Sequence, residues 1–119
     1  MWSVEGTSEF ATWYDTLTPA QQDAIAGRIE LLEQQGPGLK RPTIGEIKSS
    51  RHAPRMKELR ASKDGNLRVL FVFDPRRTAI LLLGGDKSGR WEEWYHTAIP
   101  DADRLYDEYV EELRADGLL

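Results

Sequence analysis

Apolar positions recur along this chain with two different periods, and the change of period divides it. Near the start, Phe10, Trp13, Tyr14 and Leu17 fall at i, i+3, i+4 and i+7, one face of a helix that Ser8 can cap. Thr18-Pro19-Ala20-Gln21 then places a hydroxyl at an N-cap, proline at the first helical position and glutamine at the third, a capping box. Ile25, Ile29 and Leu32 mark the buried stripe of this second helix, and Gly36-Pro37-Gly38 stops it. Two helices joined this tightly predict a helix hairpin. Trp2 to Val4 gives a faint strand signal ahead of them.

Residues 36–54 carry no periodicity and are rich in Gly, Pro, Ser and Lys, so they read as a long loop. The period then becomes two. Arg55–Ala61, Leu67–Asp74 and Thr78–Leu83 read as strands, with an Asp64-Gly65 turn, a Pro75-Arg76-Arg77 turn and Gly84-Gly85 as the stop. Helical spacing returns with Trp91, Trp94, Tyr95 and Ala98. Pro100 opens a last helix, with Leu105, Tyr109, Val110 and Leu113 on its apolar side and Asp101 and Asp103 at its positive end. The expected fold class is α+β: one domain over residues 1–119, in which an N-terminal helix hairpin packs on a small antiparallel sheet with C-terminal helices.

Strand alternation refines this. Leu67, Val69, Phe71 and Phe73 point to one face, the natural seat of the helix hairpin; Arg68, Leu70 and Val72 point to the other. In the preceding strand Leu59 shares a face with Arg55 and Lys57, while Met56, Glu58 and Arg60 share the opposite one. The second face is therefore partly apolar and needs cover from the C-terminal helices, which leaves a groove rimmed by cations.

Composition changes the picture in one respect. The 119 residues carry a net charge of −4, yet residues 40–90 hold 13 Lys and Arg against 5 Asp and Glu, while the segments before and after carry −5 and −7. An acidic chain that gathers its cations in one stretch points to a specific anionic ligand. The absence of cysteine excludes disulfides, thiolate zinc sites and a cysteine nucleophile. No apolar run approaches the roughly 18–20 residues that span a bilayer, and the first residues lack a basic start and apolar core, so a cytoplasmic protein without membrane association is expected.

The middle and C-terminal half carry a recognisable series: Met56-Lys57-Glu58-Leu59-Arg60, Leu67-Arg68-Val69-Leu70-Phe71-Val72-Phe73-Asp74-Pro75, Ile80 to Gly89 with its Gly84-Gly85-Asp86-Lys87-Ser88-Gly89 end, and Trp94-Tyr95 with Ile99-Pro100-Asp101-Ala102-Asp103. This series resembles the RelE/HigB-like toxins, in particular the branch related to phage-derived Gp49-like proteins. The resemblance implies a toxin of a bacterial type II toxin–antitoxin pair, metal-independent cleavage of messenger RNA on the translating ribosome, no cofactor, and a helix-turn-helix antitoxin encoded by an adjacent gene as partner. Cleavage without metal uses the substrate's 2′-hydroxyl as nucleophile; the protein orients it, moves two protons and stabilises charge on phosphorus.

By this resemblance Arg68 grips the scissile phosphate as a bidentate donor. Lys57 and Arg60 add charge stabilisation, Lys87 is the basic residue past the last strand, and Tyr95 or His96 is the proton-transfer group. Arg55, Lys63 and Arg90 are further candidates for RNA binding. Glu58 reads as a structural partner of Arg60 rather than a base, and His52 as a solvated loop residue. Trp91 and Trp94 read as core aromatics, with base stacking the alternative. Two other functions remain open: a ParE-like toxin that poisons a topoisomerase without catalytic residues, and a non-catalytic phage-derived binding module. The nuclease reading requires the acidic ends to face away from RNA and requires Arg68, Lys57 and Lys87 on one side.

Overall fold

The computed structural model describes residues 1–119. The elements run β1 (Ser3–Gly6), α1 (Ser8–Asp15), α2 (Pro19–Gln35), a 3₁₀ turn (Gly36–Gly38), β2 (Ile44–Glu46), β3 (Met56–Ser62), β4 (Asn66–Asp74), β5 (Thr78–Asp86) and α3 (Trp91–Ala115). The strands form one sheet in the order β1-β5-β4-β3-β2. The β3-β4-β5 meander is antiparallel, as its hairpin turns require, and β2 adds an antiparallel edge to β3. At the other edge β1 pairs parallel with β5, so the sheet is mixed. No helix is long and apolar enough to cross a membrane.

The helix starts follow their local chemistry. Thr18 accepts from the Gln21 amide while the Gln21 side chain accepts from the Thr18 amide, so two orphan donors of α2 are satisfied reciprocally. α1 is capped one residue earlier than expected, by Thr7, whose hydroxyl accepts from the Phe10 amide. Reciprocal bonds between Tyr14 and Gln22 tie the two helices together: each side chain donates to the other residue's carbonyl.

The sheet separates two apolar layers. Leu59, Ala61, Leu67, Val69 and Phe71 face Phe10, Ile25 and Leu32 of the helix pair. Met56, Leu70, Val72, Ile80 and Leu82 face Ala98, Ala102, Leu105 and Tyr106 of α3. Each fully buried Leu, Ile or Phe contributes about 1.5–3 kcal/mol, so β4, buried on both faces, is the spine of the fold.

Four further expectations change. The 36–54 loop contains β2, whose three residues are too few to show a period. Gly84-Gly85 does not end β5 but lies within it. A Cβ on Gly84 would lie 2.3 Å from the Trp13 ring and one on Gly85 2.1 Å from the Trp94 indole, so the two glycines let one tryptophan rest on each face of the strand. The C-terminal helices are one continuous helix that passes through Pro100. Pro100 removes the amide that would bond the His96 carbonyl, but both residues are exposed, so the freed carbonyl faces water. Asp103 accordingly sits in mid-helix, buried, where it accepts from the Ser50 hydroxyl at 2.5 Å and the Arg51 amide at 3.3 Å and so pins the 47–55 segment to α3.

Candidate functional site

Beyond Leu70 toward the β3–β4 turn, the α3 face of the sheet stops being apolar. Glu58 and Arg60 of β3 alternate onto this face, Arg68 of β4 pairs across from Arg60, and Gly85 of β5 pairs with Arg68. The first turn of α3 supplies Trp91, Trp94 and Tyr95, and Lys87 comes from the segment joining β5 to α3. Together they line an open groove of about 510 Å³ whose wall includes Glu58, Arg60, Lys87, Trp91 and Tyr95.

Glu58 is the centre of this group. Only 3% of it is exposed. Tyr95 Oη donates to its carboxylate, 2.5 Å from Oε1 and 3.0 Å from Oε2. Arg68 Nε lies 3.2 Å from Oε1 and Arg60 Nη2 3.7 Å from Oε2. The Arg68 contact is close as an ion pair yet misaligned as a hydrogen bond, and Nε of both arginines is buried without an aligned acceptor. Arg68 is 8% exposed and donates instead to its neighbour, the Leu67 carbonyl, at 2.9 Å. It lies behind Glu58 and does not line the groove, whereas Arg60 and Lys87 do.

Arg60, Arg68 and Lys87 thus stand against Glu58 and, beside Arg68, Asp86, which leaves a surplus of one positive charge at a partly dry site, as an anion pocket requires. The proton-bearing groups respond to it. Burial first, then the bond to Glu58 and its negative charge, push the Tyr95 phenol up to about 12, against the opposing effect of Arg68. Burial lowers the Lys87 ammonium, and the positive charges of Arg68 and Arg60 lower it further, with Glu58 acting in the opposite sense. Lys87 Nζ lies 5.8 Å from the ring centres of both Trp91 and Tyr95. Trp91 is 55% exposed at the mouth of the groove and is not a core residue; Trp94 packs on Gly85 and against the α3-side core.

The structure brings together Arg60, Arg68, Lys87 and Tyr95 and separates the rest. Lys57 pairs across from Phe71 and so lies on the opposite face, beside the helix pair. An odd position cannot share a face with Glu58 and Arg60, and the single-sided arrangement expected of Lys57, Arg68 and Lys87 is absent. His96 is exposed on the outer side of α3. Arg55, at the far end of β3, lies over the Tyr106 ring, 5.9 Å from its centre. Lys63 is exposed in the β3–β4 turn, and Arg90 pairs with Glu93 at 2.9 Å. His52 is not solvated: its side chain is 16% exposed, bonded to Asp107 at 2.8 Å and edge-on to Tyr106.

The sequence names Glu58 as a partner of Arg60, and the two do meet at 3.7 Å, but only the α3 cover shows that Glu58 is buried and bonded to Tyr95; one residue of the site, Gly45, has no signal in the sequence. Gly45 of β2 lies where a Cβ would sit 2.3 Å from Arg60 Nη2, so the bare backbone of the edge strand is the shelf for that guanidinium.

Residues 12–107 match the family model described as Phage derived protein Gp49-like (DUF891). The chain is 43% identical over 98 residues to the protein named "Putative toxin HigB3" of Mycobacterium tuberculosis (strain ATCC 25618 / H37Rv), covering 82% of this chain and 84% of that one. It is 37% identical over 111 residues to "Putative toxin HigB2" of the same organism, covering 92% of this chain and 54% of the relative. Among solved structures, the isolated E. coli RelE toxin superposes with a TM-score of 0.58 at 8% identity, over 78% of this chain and 94% of RelE. The toxin–antitoxin complex RelBE2 of M. tuberculosis gives 0.54 at 16% identity, over 73% and 92%. At such identities these two speak for the fold alone, whereas the family match spans most of the chain. The chain belongs to the phage-derived Gp49-like family, with HigB toxins among its relatives and the fold of RelE.

Proposed function

We propose that the protein is a metal-independent endoribonuclease that cleaves messenger RNA in the groove around Glu58, on the ribosome, and so inhibits translation. The observation that carries this reading is the buried Glu58 carboxylate, held by Tyr95 Oη at 2.5 Å among three cations. A toxin that acts only by occupying a topoisomerase has no use for a perturbed phenol and lysine in one cleft, so the arrangement favours the nuclease over a ParE-like poison.

A phosphodiester in the groove has its charge met by Arg60 and Lys87 on the wall and by the field of the buried Arg68 behind Glu58. The 2′-oxygen attacks the adjacent phosphorus. Its proton passes to Tyr95 Oη as the phenol's own proton passes to Glu58, so no free phenolate is needed from a group pushed to about 12. Lys87, held as an ammonium of lowered pKa, protonates the departing 5′-oxygen. The products are a 2′,3′-cyclic phosphate and a 5′-hydroxyl end, and Glu58 returns the extra proton as Lys87 regains one from water. The exposed face of Trp91 at the groove mouth suits stacking on a neighbouring base.

An antitoxin partner, of helix-turn-helix type and encoded beside the toxin, is part of the proposal; the solved relatives that are toxin–antitoxin complexes support it. The test is cleavage of an oligonucleotide with one ribonucleotide among deoxynucleotides, in excess EDTA, with and without ribosomes. Cleavage at the ribonucleotide to a cyclic phosphate, reduced about 10²–10³-fold by Lys87→Ala or Tyr95→Phe, is expected. Growth inhibition that persists undiminished in both variants would refute the nuclease reading.

A further inference from the structure

The displacement of Lys57 to the reverse face opens a second site. There it lines a cleft of about 480 Å³ together with Lys40 and Arg41, floored by Leu39, Ile44 and Phe73. The only acid on its wall is Glu46, which is exposed. Lys40, Arg41, Lys57 and nearby Lys48 form no ion pair and no side-chain hydrogen bond. By contrast Arg51, Arg76, Arg90, Arg104 and Arg114 each hold a carboxylate. Four unpaired cations around one three-residue strand repel each other and are kept apart from the acids that neutralise basic residues elsewhere on this surface.

The cleft adjoins the Glu58 groove around the β2 edge. A smaller depression of about 140 Å³ shares Glu46 and Lys57 with the reverse cleft, and shares Glu46, Ile47 and Lys48 with the groove. A path from one to the other turns around the free edge of β2, which is about 10 Å long. Gly45 makes that edge thin, with the Arg60 guanidinium against its backbone on one face and the reverse cleft on the other.

We infer that Lys40, Arg41 and Lys57, with Lys48 at the turn, form a second phosphate-binding site for single-stranded RNA, which enters the Glu58 groove by passing around the β2 edge. The inference rests on the reading of the groove as an RNA site and adds to it a separate anchoring surface without catalytic groups. The RNA phosphates come either from the flank of the cleaved strand or from ribosomal RNA, and the two are separable by experiment.

The test uses 2′-O-methyl oligonucleotides, which bind but cannot be cleaved, of about 4 and about 12 nucleotides, together with pelleting on ribosomal subunits. The triple variant Lys40→Ala/Arg41→Ala/Lys57→Ala, with its thermal midpoint measured as a folding control, is compared with Lys87→Ala. Expected for the triple variant is at least a tenfold loss of affinity for the long oligonucleotide and a change within twofold for the short one. The slope of log affinity against log salt should fall by about 2, since each of three phosphate contacts contributes about 0.7. Loss confined to ribosome pelleting assigns the site to ribosomal RNA. Equal losses on both lengths, or no loss on oligonucleotides and ribosomes alike, overturn the inference. A long oligonucleotide that binds through these residues while ribonucleotide substrates stay uncut leaves the second site standing and removes the nuclease.

Discussion

Glu58→Gln tests the electrostatic account of the groove most directly. Glutamine keeps the shape and an amide oxygen for Tyr95 Oη, so what is lost is the charge. Arg68, 8% exposed and 3.2 Å from Oε1, then remains buried without its contacting counter-ion, with only the Asp86 carboxylate at longer range to offset the charges of Arg60 and Lys87. Removing one partner of such a buried pair costs about 3–5 kcal/mol. The 3.7 Å Arg60 contact adds little, because that side chain is a third exposed and screened by water. For a chain of this length each kcal/mol moves the thermal midpoint by about 4 °C, so a drop of about 12–20 °C is expected in scanning calorimetry at pH 7. Adding Arg68→Met should restore part of it, since the double change leaves no uncompensated buried charge. The spectrophotometric titration of Tyr95 should also move down from about 12, as two of the causes that raise it are the bond and charge of Glu58. A midpoint within about 3 °C of the parent for Glu58→Gln, or a double variant less stable than the sum of both single changes, would refute the reasoning.

Three further outcomes are expected. Gly45→Ala puts a methyl group 2.3 Å from Arg60 Nη2, the free end of a flexible side chain; stability should change by less than about 1 kcal/mol while RNA cleavage falls as far as in Arg60→Ala, and full activity would show that the shelf is irrelevant. Gly85→Ala forces the Trp94 indole off β5 and Gly84→Ala does the same to Trp13, each costing about 1–3 kcal/mol; only the Gly85 variant, on the groove side, should lose activity per folded molecule, measured by cleavage after calorimetric correction for unfolded protein. Because Lys87 has its pKa lowered by folding, its ammonium opposes folding at neutral pH and the penalty disappears as pH rises past the ordinary 10.5. Lys87→Met should therefore raise the thermal midpoint at pH 7, with the gain shrinking toward pH 10.5, while abolishing cleavage; a lower midpoint at pH 7 would contradict this.

Local chemistry made much of the scaffold legible. The Thr18-Pro19-Ala20-Gln21 box, the spacing of Phe10, Trp13, Tyr14 and Leu17, and the alternation of Leu67, Val69, Phe71 and Phe73 each depend on residues within one element, and each element formed where they pointed. Alternation also set Glu58 and Arg60 on one face of their strand; that Arg68 joins them follows from the β3–β4 register, which pairs it with Arg60. The same rule put Lys57 on the other face; grouping it with Arg68 followed charge and resemblance against the pleat.

What the tertiary structure decided is everything that depends on a distant neighbour. β1 and β2 are strands because β5 and β3 offer edges, not because of their own few residues. Pro100 stays inside α3 because the apolar cover on Leu70, Val72 and Ile80 outweighs one lost hydrogen bond on the solvent side. Glu58 reads as an ordinary strand acid until α3 folds over it and brings Tyr95 to 2.5 Å, at which point burial turns a surface charge into the centre of a site. Composition determined that the cations gather in one stretch of chain. The sheet decided that they divide between its two faces, because neighbouring residues on a strand point in opposite directions.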